Sequence, residues 1–213
     1  MHKTTANKPE LKVLDLKKDL KHLYNPSTKG VVLVDVPEMQ FLMIDGMGDP
    51  NTAQKYSDAV SALYSMAYTL KFLIRKELGI DYPVMPLEGL WWVEDMRAFS
   101  VDKKNDWLWT MMIMQPDIVT LEHFQEALKQ VEQKKPSPAL SKIRLERFSE
   151  GLAAQIMHIG LYAAEKPTIE KVHSFIKEQG YNLSGKHHEI YLGDPRKSAP
   201  EKLKTVIRQP CKK

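Results

Sequence analysis

YNLSGKHHEIYLGDP, residues 181–195, reads as a turn, a short strand and a second turn, with Glu189 in mid-strand. Side chains alternate across a strand, so His187, Glu189 and Tyr191 share one face while His188, Ile190 and Leu192 take the other. A carboxylate between two ring-bearing neighbours suits the floor of a ligand pocket. An ion-paired glutamate on a solvated strand face would give the same string. What separates the two readings is whether the arrangement recurs.

It does. PVMPLEGLWWVED (83–95) parallels KHHEIYLGDP (186–195), each a strand with a glutamate followed closely by aromatic residues. VPEMQFLMIDGMGDPN (36–51) parallels FSEGLAAQIMHIGLYA (148–163), each a turn, a strand, a glycine and the start of a helix. The closing strands end alike, in Ile113-Met114-Gln115-Pro116 and Ile207-Arg208-Gln209-Pro210. The shared order points to an internal duplication, with units at about 30–116 and 140–210 joined by a helical linker. Each unit is a strand, a helix and a strand hairpin, too small to bury its own sheet face. Two packed together solve that, and their seam is a natural cleft. Glu88 and Glu189 then hold equivalent positions, and strand register decides whether both face the cleft.

The remaining elements fit around these units. Residues 9–24 have the spacing of an amphipathic helix, and VVLVDV and MQFLMIDG read as strands. A long helix is expected from Thr52 to Leu78, with Tyr56, Val60, Leu63 and Tyr64 among its periodic residues. Asn51 or Thr52 would cap it and Gly79 would stop it. The glycines of the 46–51 loop lack the Lys-Ser/Thr of a phosphate loop, so they read as turn chemistry. After a polar turn at Asp102–Asn105, DWLWTMMIMQP is apolar on both faces and therefore central. A helix over 117–135 with Phe124, Leu128 and Val131 as its stripe leads to KKPSP, the linker. IRLERF and LAAQIMHIG read as strands, 167–179 as a helix closed by Gly180, and LKTVIRQP as the last strand.

Composition excludes several functions. A chain of 213 residues with a net charge of +4 and scattered lysines has no concentrated basic face, so no nucleic-acid partner is expected. The apolar runs are too short to span a bilayer, and the N-terminus has no secretory core segment. The single cysteine, Cys211, is the third residue from the end, which favours a reducing cytoplasm. His158, His173, His187 and His188 show no metal-ligand spacing, so neither a metal nor a cofactor is expected. No G-x-S-x-G elbow offers a nucleophile. The expected partner is a small molecule, bound by a monomer or a homodimer.

The aromatic residues are concentrated. All four tryptophans, Trp91, Trp92, Trp107 and Trp109, fall within nineteen residues, beside Met111, Met112 and Met114. Tyr64 and Tyr68 lie on the long helix, and Tyr162 and Tyr191 in the second unit. Each alone could simply fill core; as a set they suit a flat apolar ligand. Trp92 shares strand parity with Glu88, so of the adjacent pair Trp92 is expected in the pocket and Trp91 on the other face.

PLEGLWW, QIMHIGLY and HHEIYLGDPR, set in these duplicated units, resemble the GyrI-like small-molecule-binding proteins over most of residues 30–210. The resemblance implies an α+β fold of paired SHS2 modules with pseudo-two-fold symmetry and a drug-sized ligand between them, after a lead-in at 1–29. It implies that Glu189 lies in the pocket among aromatic residues. In transcriptional relatives such a module senses amphipathic, often cationic drugs beside a helix-turn-helix domain, for which this chain offers only about thirty residues. A stand-alone subfamily is more similar, and hydrolyses cyclopropane-bearing DNA-alkylating natural products within an aromatic cage. Taken with the aromatic residues above, the expected site adds Tyr162 and Tyr191 to Glu189 as catalytic groups. Glu88, Trp91, Trp92, Tyr64, Tyr68, Trp109, Met112 and His187 would contact ligand. Two readings follow. In one, Glu189, its pKa raised by desolvation, orients or deprotonates a water while a tyrosine hydroxyl donates to the developing oxyanion. In the other, Glu189 is the buried counter-ion of a sequestered drug and the tryptophans stack on it.

Overall fold

A computed structural model describes residues 11–94, 104–193 and 197–213. The first two residues of the expected N-terminal helix, part of the Asp102–Asn105 turn and the Asp194-Pro195 turn lie outside them. In place of one helix over 9–24 stand a short strand β1 (Lys12–Val13) and two single-turn helices, α1 (Leu16–Asp19) and α2 (Lys21–Tyr24). β2 (Val32–Val36) and β3 (Met39–Met47) follow where the apolar runs predict them.

α3 (Gln54–Leu78) buries the three- and four-residue stripe that includes Leu63, Met66, Leu70 and Ile74. It ends at Gly79, whose φ of 65° is the left-handed conformation that glycine adopts without a Cβ penalty. Its N-cap is Ala53, with no side-chain cap, and neither Asn51 nor Thr52 takes that role. Instead Asp49 Oδ1 accepts the Asn51 backbone N–H in the preceding turn. β4 (Ile80–Asp81) pairs with β1, and β5 (Leu87–Trp92) and β6 (Leu108–Gln115) form the first hairpin.

α4 (Leu121–Lys134) buries Phe124, Ala127 and Val131, with Leu128 half-buried. The second unit runs β7 (Arg144–Phe148), β8 (Gly151–Ile159), α5 (Lys166–Glu178), β9 (Asn182–Leu183), β10 (His187–Tyr191) and β11 (Lys204–Lys212). β11 extends past the expected Pro210, so Cys211 is a buried strand residue and not part of a tail.

The main sheet is antiparallel, in the order β2-β8-β11-β10-β5-β6-β3-β7, with β9 added on β11. The order reads alike from both ends if β2 is matched to β7, β3 to β8, β5 to β10 and β6 to β11. Each unit's first strand therefore sits at the far edge of the other unit, and β10 against β5 makes the central seam. β6 lies inside the sheet, and from Trp109 to Gln115 it is buried on both faces, as its continuous apolar run predicts.

The helices divide between the sheet faces. α3 and α5 share one: Tyr56 of α3 stacks on Trp91, and Val172 and Ile176 of α5 pack with Ile207. α2 lies across the other, where the Tyr24 hydroxyl donates to Glu88 and the Leu23 carbonyl accepts from Arg208. Among the described residues no helix is long and apolar enough to cross a membrane.

Candidate functional site

Residues paired directly across an antiparallel ladder point to the same face. Trp91 pairs with His187, Gly89 with Glu189 and Leu87 with Tyr191, so the central seam presents one continuous face. Over it, between α3 and the segment at 161–169, opens a cleft of about 1390 Å³. α3 contributes Tyr56, Val60, Tyr64 and Tyr68 at four-residue steps along one stripe, Trp107 lines one side and Tyr162 another.

On the floor, Glu189 is fixed at both oxygens. His187 Nε2 lies 3.1 Å from Oε1, and the Tyr191 hydroxyl donates to Oε2 at 2.7 Å. The Tyr191 oxygen in turn accepts from Trp91 Nε1 at 3.0 Å. The Trp91 ring stacks on Tyr56, with centroids 6.1 Å apart and planes 29° apart, and meets Trp107 edge-on at 5.5 Å. Tyr162 meets Tyr191 edge-on, also at 5.5 Å.

The electrostatics correct one expectation. Burial does push the Glu189 carboxyl up, but the hydrogen bond and charge of His187, with the Tyr191 hydroxyl, outweigh it and hold the pKa below the ordinary carboxylate range. Glu189 is thus a carboxylate throughout the neutral range. Tyr191 is pushed the other way, by burial and by Glu189, so its hydroxyl stays a proton donor.

Of the residues expected at the site, Glu189, His187, Tyr191, Trp91, Tyr64, Tyr68 and Tyr162 meet at this cleft. Four do not. Glu88 pairs with Ile190, one residue out of step with Glu189, and so lies on the opposite face. There it is wholly buried, bonded to Tyr24 at 2.6 Å and to His188 at 3.0 Å. The matched I-x-Q-P strings carry the reason: Ile207 stands against Glu189, whereas Ile113 stands against Leu87, not Glu88. Trp92 shares the face of Glu88, as its parity required, and lies under the Lys186 ammonium at 3.3 Å from the ring centroid. The expectation for the tryptophan pair is therefore reversed, because it was tied to the wrong glutamate. Met112 pairs with Glu88 and is core on that same far face. Trp109 is on the cleft side but buried behind Tyr56, its indole laid over Gly46, where a Cβ would come within 2.1 Å of the ring.

Two cleft residues escape a reading of the sequence as a site. Tyr56 was only one member of a helical stripe, although its four-residue spacing to Val60 and Tyr64 was a usable signal. Glu165 was not singled out at all. It is 4% exposed, lines the cleft and precedes α5, and burial together with the Glu189 charge pushes its pKa up to about 9 against a smaller pull from Thr205.

Gly89 makes room for this arrangement, since a Cβ there would lie 2.8 Å from Trp91 Nε1 and 3.2 Å from Met111 Sδ. Gly89→Ala should tilt the indole off Tyr191 and weaken the binding of a flat aromatic dye by about tenfold, the worth of one hydrogen bond. A fluorescence titration of parent and variant reads this directly. Unchanged affinity would show that the Trp91–Tyr191 bond does not shape the cleft. Among the described residues no group of three or more His, Cys, Asp or Glu is placed to hold a metal ion.

Residues 30–212 match the model of the GyrI-like small molecule binding domain. Three solved structures from Listeria innocua are similar over nearly the whole chain. An uncharacterized conserved protein is 41% identical, with a TM-score of 0.86, over 93% of this chain and 100% of that one. A hydrolase is 39% identical, with a TM-score of 0.81, over 93% and 100%. A further hydrolase is 40% identical, with a TM-score of 0.84, over 94% and 100%. No curated protein gives a significant match.

Proposed function

Because the chain belongs to the GyrI-like family of small molecule binding domains, we propose that its aromatic cleft binds planar xenobiotics and hydrolyses the strained cyclopropane ring of DNA-alkylating natural products. The observation that carries this reading is Glu189, an ionised carboxylate pinned on the cleft floor among the rings of Tyr56, Trp91, Tyr162 and Tyr191. That two relatives about 40% identical are described as hydrolases supports a reaction over mere capture.

The chemistry asks little of the protein. A water oxygen bonds to the ring CH₂ as the strained C–C bond breaks. The released electron pair runs through the conjugated system to the carbonyl oxygen, which takes a proton and becomes a phenol. Each oxygen of Glu189 already accepts one hydrogen bond and has a second lone pair for the attacking water. With a depressed pKa, Glu189 orients that water and receives its proton only as the new C–O bond makes it acidic. The Tyr191 hydroxyl donates to Glu189, and both Tyr191 and Tyr162 line the cleft where the oxyanion would develop.

Incubation with a neutral cyclopropane-fused dienone in ¹⁸O-water, followed by mass spectrometry, tests the proposal. The expected product carries one labelled oxygen. Turnover should be level through the neutral range and decline only in acid, below the ordinary carboxylate range, as Glu189 takes up a proton. Recovery of intact compound after prolonged incubation would contradict hydrolysis. The depressed Glu189 pKa favours a second reading as well: a permanent anion is a good counter-ion, and a binding protein that sequesters cationic drugs needs nothing more.

A further inference from the structure

Glu165 has no part in the chemistry above. Its side chain is buried at the cleft wall, and Oε1 has no hydrogen-bond partner among the described residues. A buried carboxyl oxygen left unpaired beside an already ionised carboxylate is costly as a second anion and cheap as a neutral acid.

The groups around it decide its state. β10 presents Glu189, His187 and Tyr191, α3 presents Tyr56, and β11 presents the Thr205 hydroxyl. From β8, His158 bonds Thr168 and the Leu161 carbonyl on the same turn. α5 adds His173, whose pKa is held down by burial and by the His187 charge. Tyr162 lies on its own segment. Lys17, Lys135, Lys166 and Lys197 also line the cleft as exposed side chains, and half-buried Lys104 lies over the Trp107 ring. The near, buried charge is therefore that of Glu189.

We propose that the cleft takes up a flat monocation in exchange for the proton on Glu165. The free site holds one carboxylate and one carboxylic acid. A cation between them lets both ionise, and the proton passes to water. A neutral ligand offers no such compensation and leaves the proton in place. The inference rests on the cleft being the ligand site, and it makes Glu165 the residue that reads ligand charge.

The test uses 10-methylacridinium as permanent cation and acridone as its neutral counterpart. Calorimetry at about pH 8, in two buffers of different protonation enthalpy, reads the proton count. With the Glu165 pKa about 9 in the free protein, roughly 0.5–0.9 proton should leave per methylacridinium bound and none per acridone. The parent's affinity for the cation should rise up to about tenfold per pH unit towards pH 9. Glu165→Gln, which keeps a neutral polar group, should bind the cation with no proton release and little pH dependence. Thermal melting gives a readout that needs no ligand. A carboxyl whose folded pKa is raised adds stability below its unfolded pKa and loses it as pH rises through the folded value. From the ordinary carboxylate value up to about pH 9 the parent should therefore lose stability relative to Glu165→Gln, and above that the two should run parallel.

Parallel melting of parent and variant from neutral pH to pH 10, or cation binding without proton release, would overturn the exchange. If acridone binds while the cation releases no proton, the cleft stands as the ligand site and the exchange fails alone. If neither dye binds, both fall.

Discussion

Glu189→Gln is expected to lower turnover by about a hundredfold or more, the usual cost of removing a positioned charge or base from a reacting centre. The amide keeps the size of the side chain and one acceptor, so the thermal midpoint should move little. Affinity for a neutral planar ligand should fall far less than turnover, because Trp91, Tyr56 and Tyr64 still offer their surfaces. Affinity for a cationic dye should fall with turnover, since the carboxylate is the counter-charge. Steady-state rates and dye titrations on one preparation separate these effects. Parental turnover in the variant would remove Glu189 from the centre of the site.

Glu88→Gln should do the reverse, harming the fold and sparing the cleft. Glu88, His188, Glu150 and Arg208 form a buried chain on the far face: His188 bridges the two glutamates at 3.0 and 2.9 Å, and Arg208 bonds Glu150 at 3.0 Å. Arg208 also holds Gln155 and the Leu23 carbonyl, and Gln155 the His22 carbonyl, so the network clamps α2 to the sheet. With His188 protonated, two anions face two cations. Removing one anion from such a set costs about 3–5 kcal/mol, which for a chain of this size lowers the melting midpoint by roughly 6–20 °C. A loss of ligand affinity greater than this loss of stability would place Glu88 in the site after all.

The same network sets a pH window. Burial alone would lower the His188 pKa, but the charge of Glu150 and the bonds to both glutamates raise it to about 9. Its contribution to stability is present below the ordinary histidine value and is lost as pH rises through about 9. Burial pushes Glu150 up, yet His188 and Arg208 bring it down to about 2, so its contribution is present above the ordinary glutamate value and is lost as pH falls through about 2. The parent should be most stable between the ordinary glutamate and histidine values. Glu88→Gln should bring the alkaline loss to lower pH, because one of the bonds that raise His188 has gone.

What could be read in the sequence was whatever strand and helix periods dictate locally. The alternation of HHEIY placed His187, Glu189 and Tyr191 on one face, and the structure joins those three by hydrogen bonds. The two-faced apolar run of WTMMIM gave a strand inside the sheet, and Gly79 stopped the long helix. What failed was register. A single-residue offset between the two hairpins sends Glu88 to the far face, and with it Trp92 and Met112. The I-x-Q-P strings alone do not reveal the offset, since aligning them sets Glu189 against Asp95; only the hairpin registers match Leu87 with Glu189. Glu165 was illegible for another reason. In YAAEKP it looks like any solvated acid ahead of a helix, and only the packing of β10 and β11 around it makes it buried.

A crystal structure of the protein with a bound neutral cyclopropane-fused dienone tests the central claim most directly. The claim predicts the ligand over the Glu189 face of the central seam, its plane against the aromatic stripe of α3, with a water between Glu189 and the ring carbon. Ligand on the α2 face of the sheet, or in the cleft with Glu189 turned away from it, would contradict the claim.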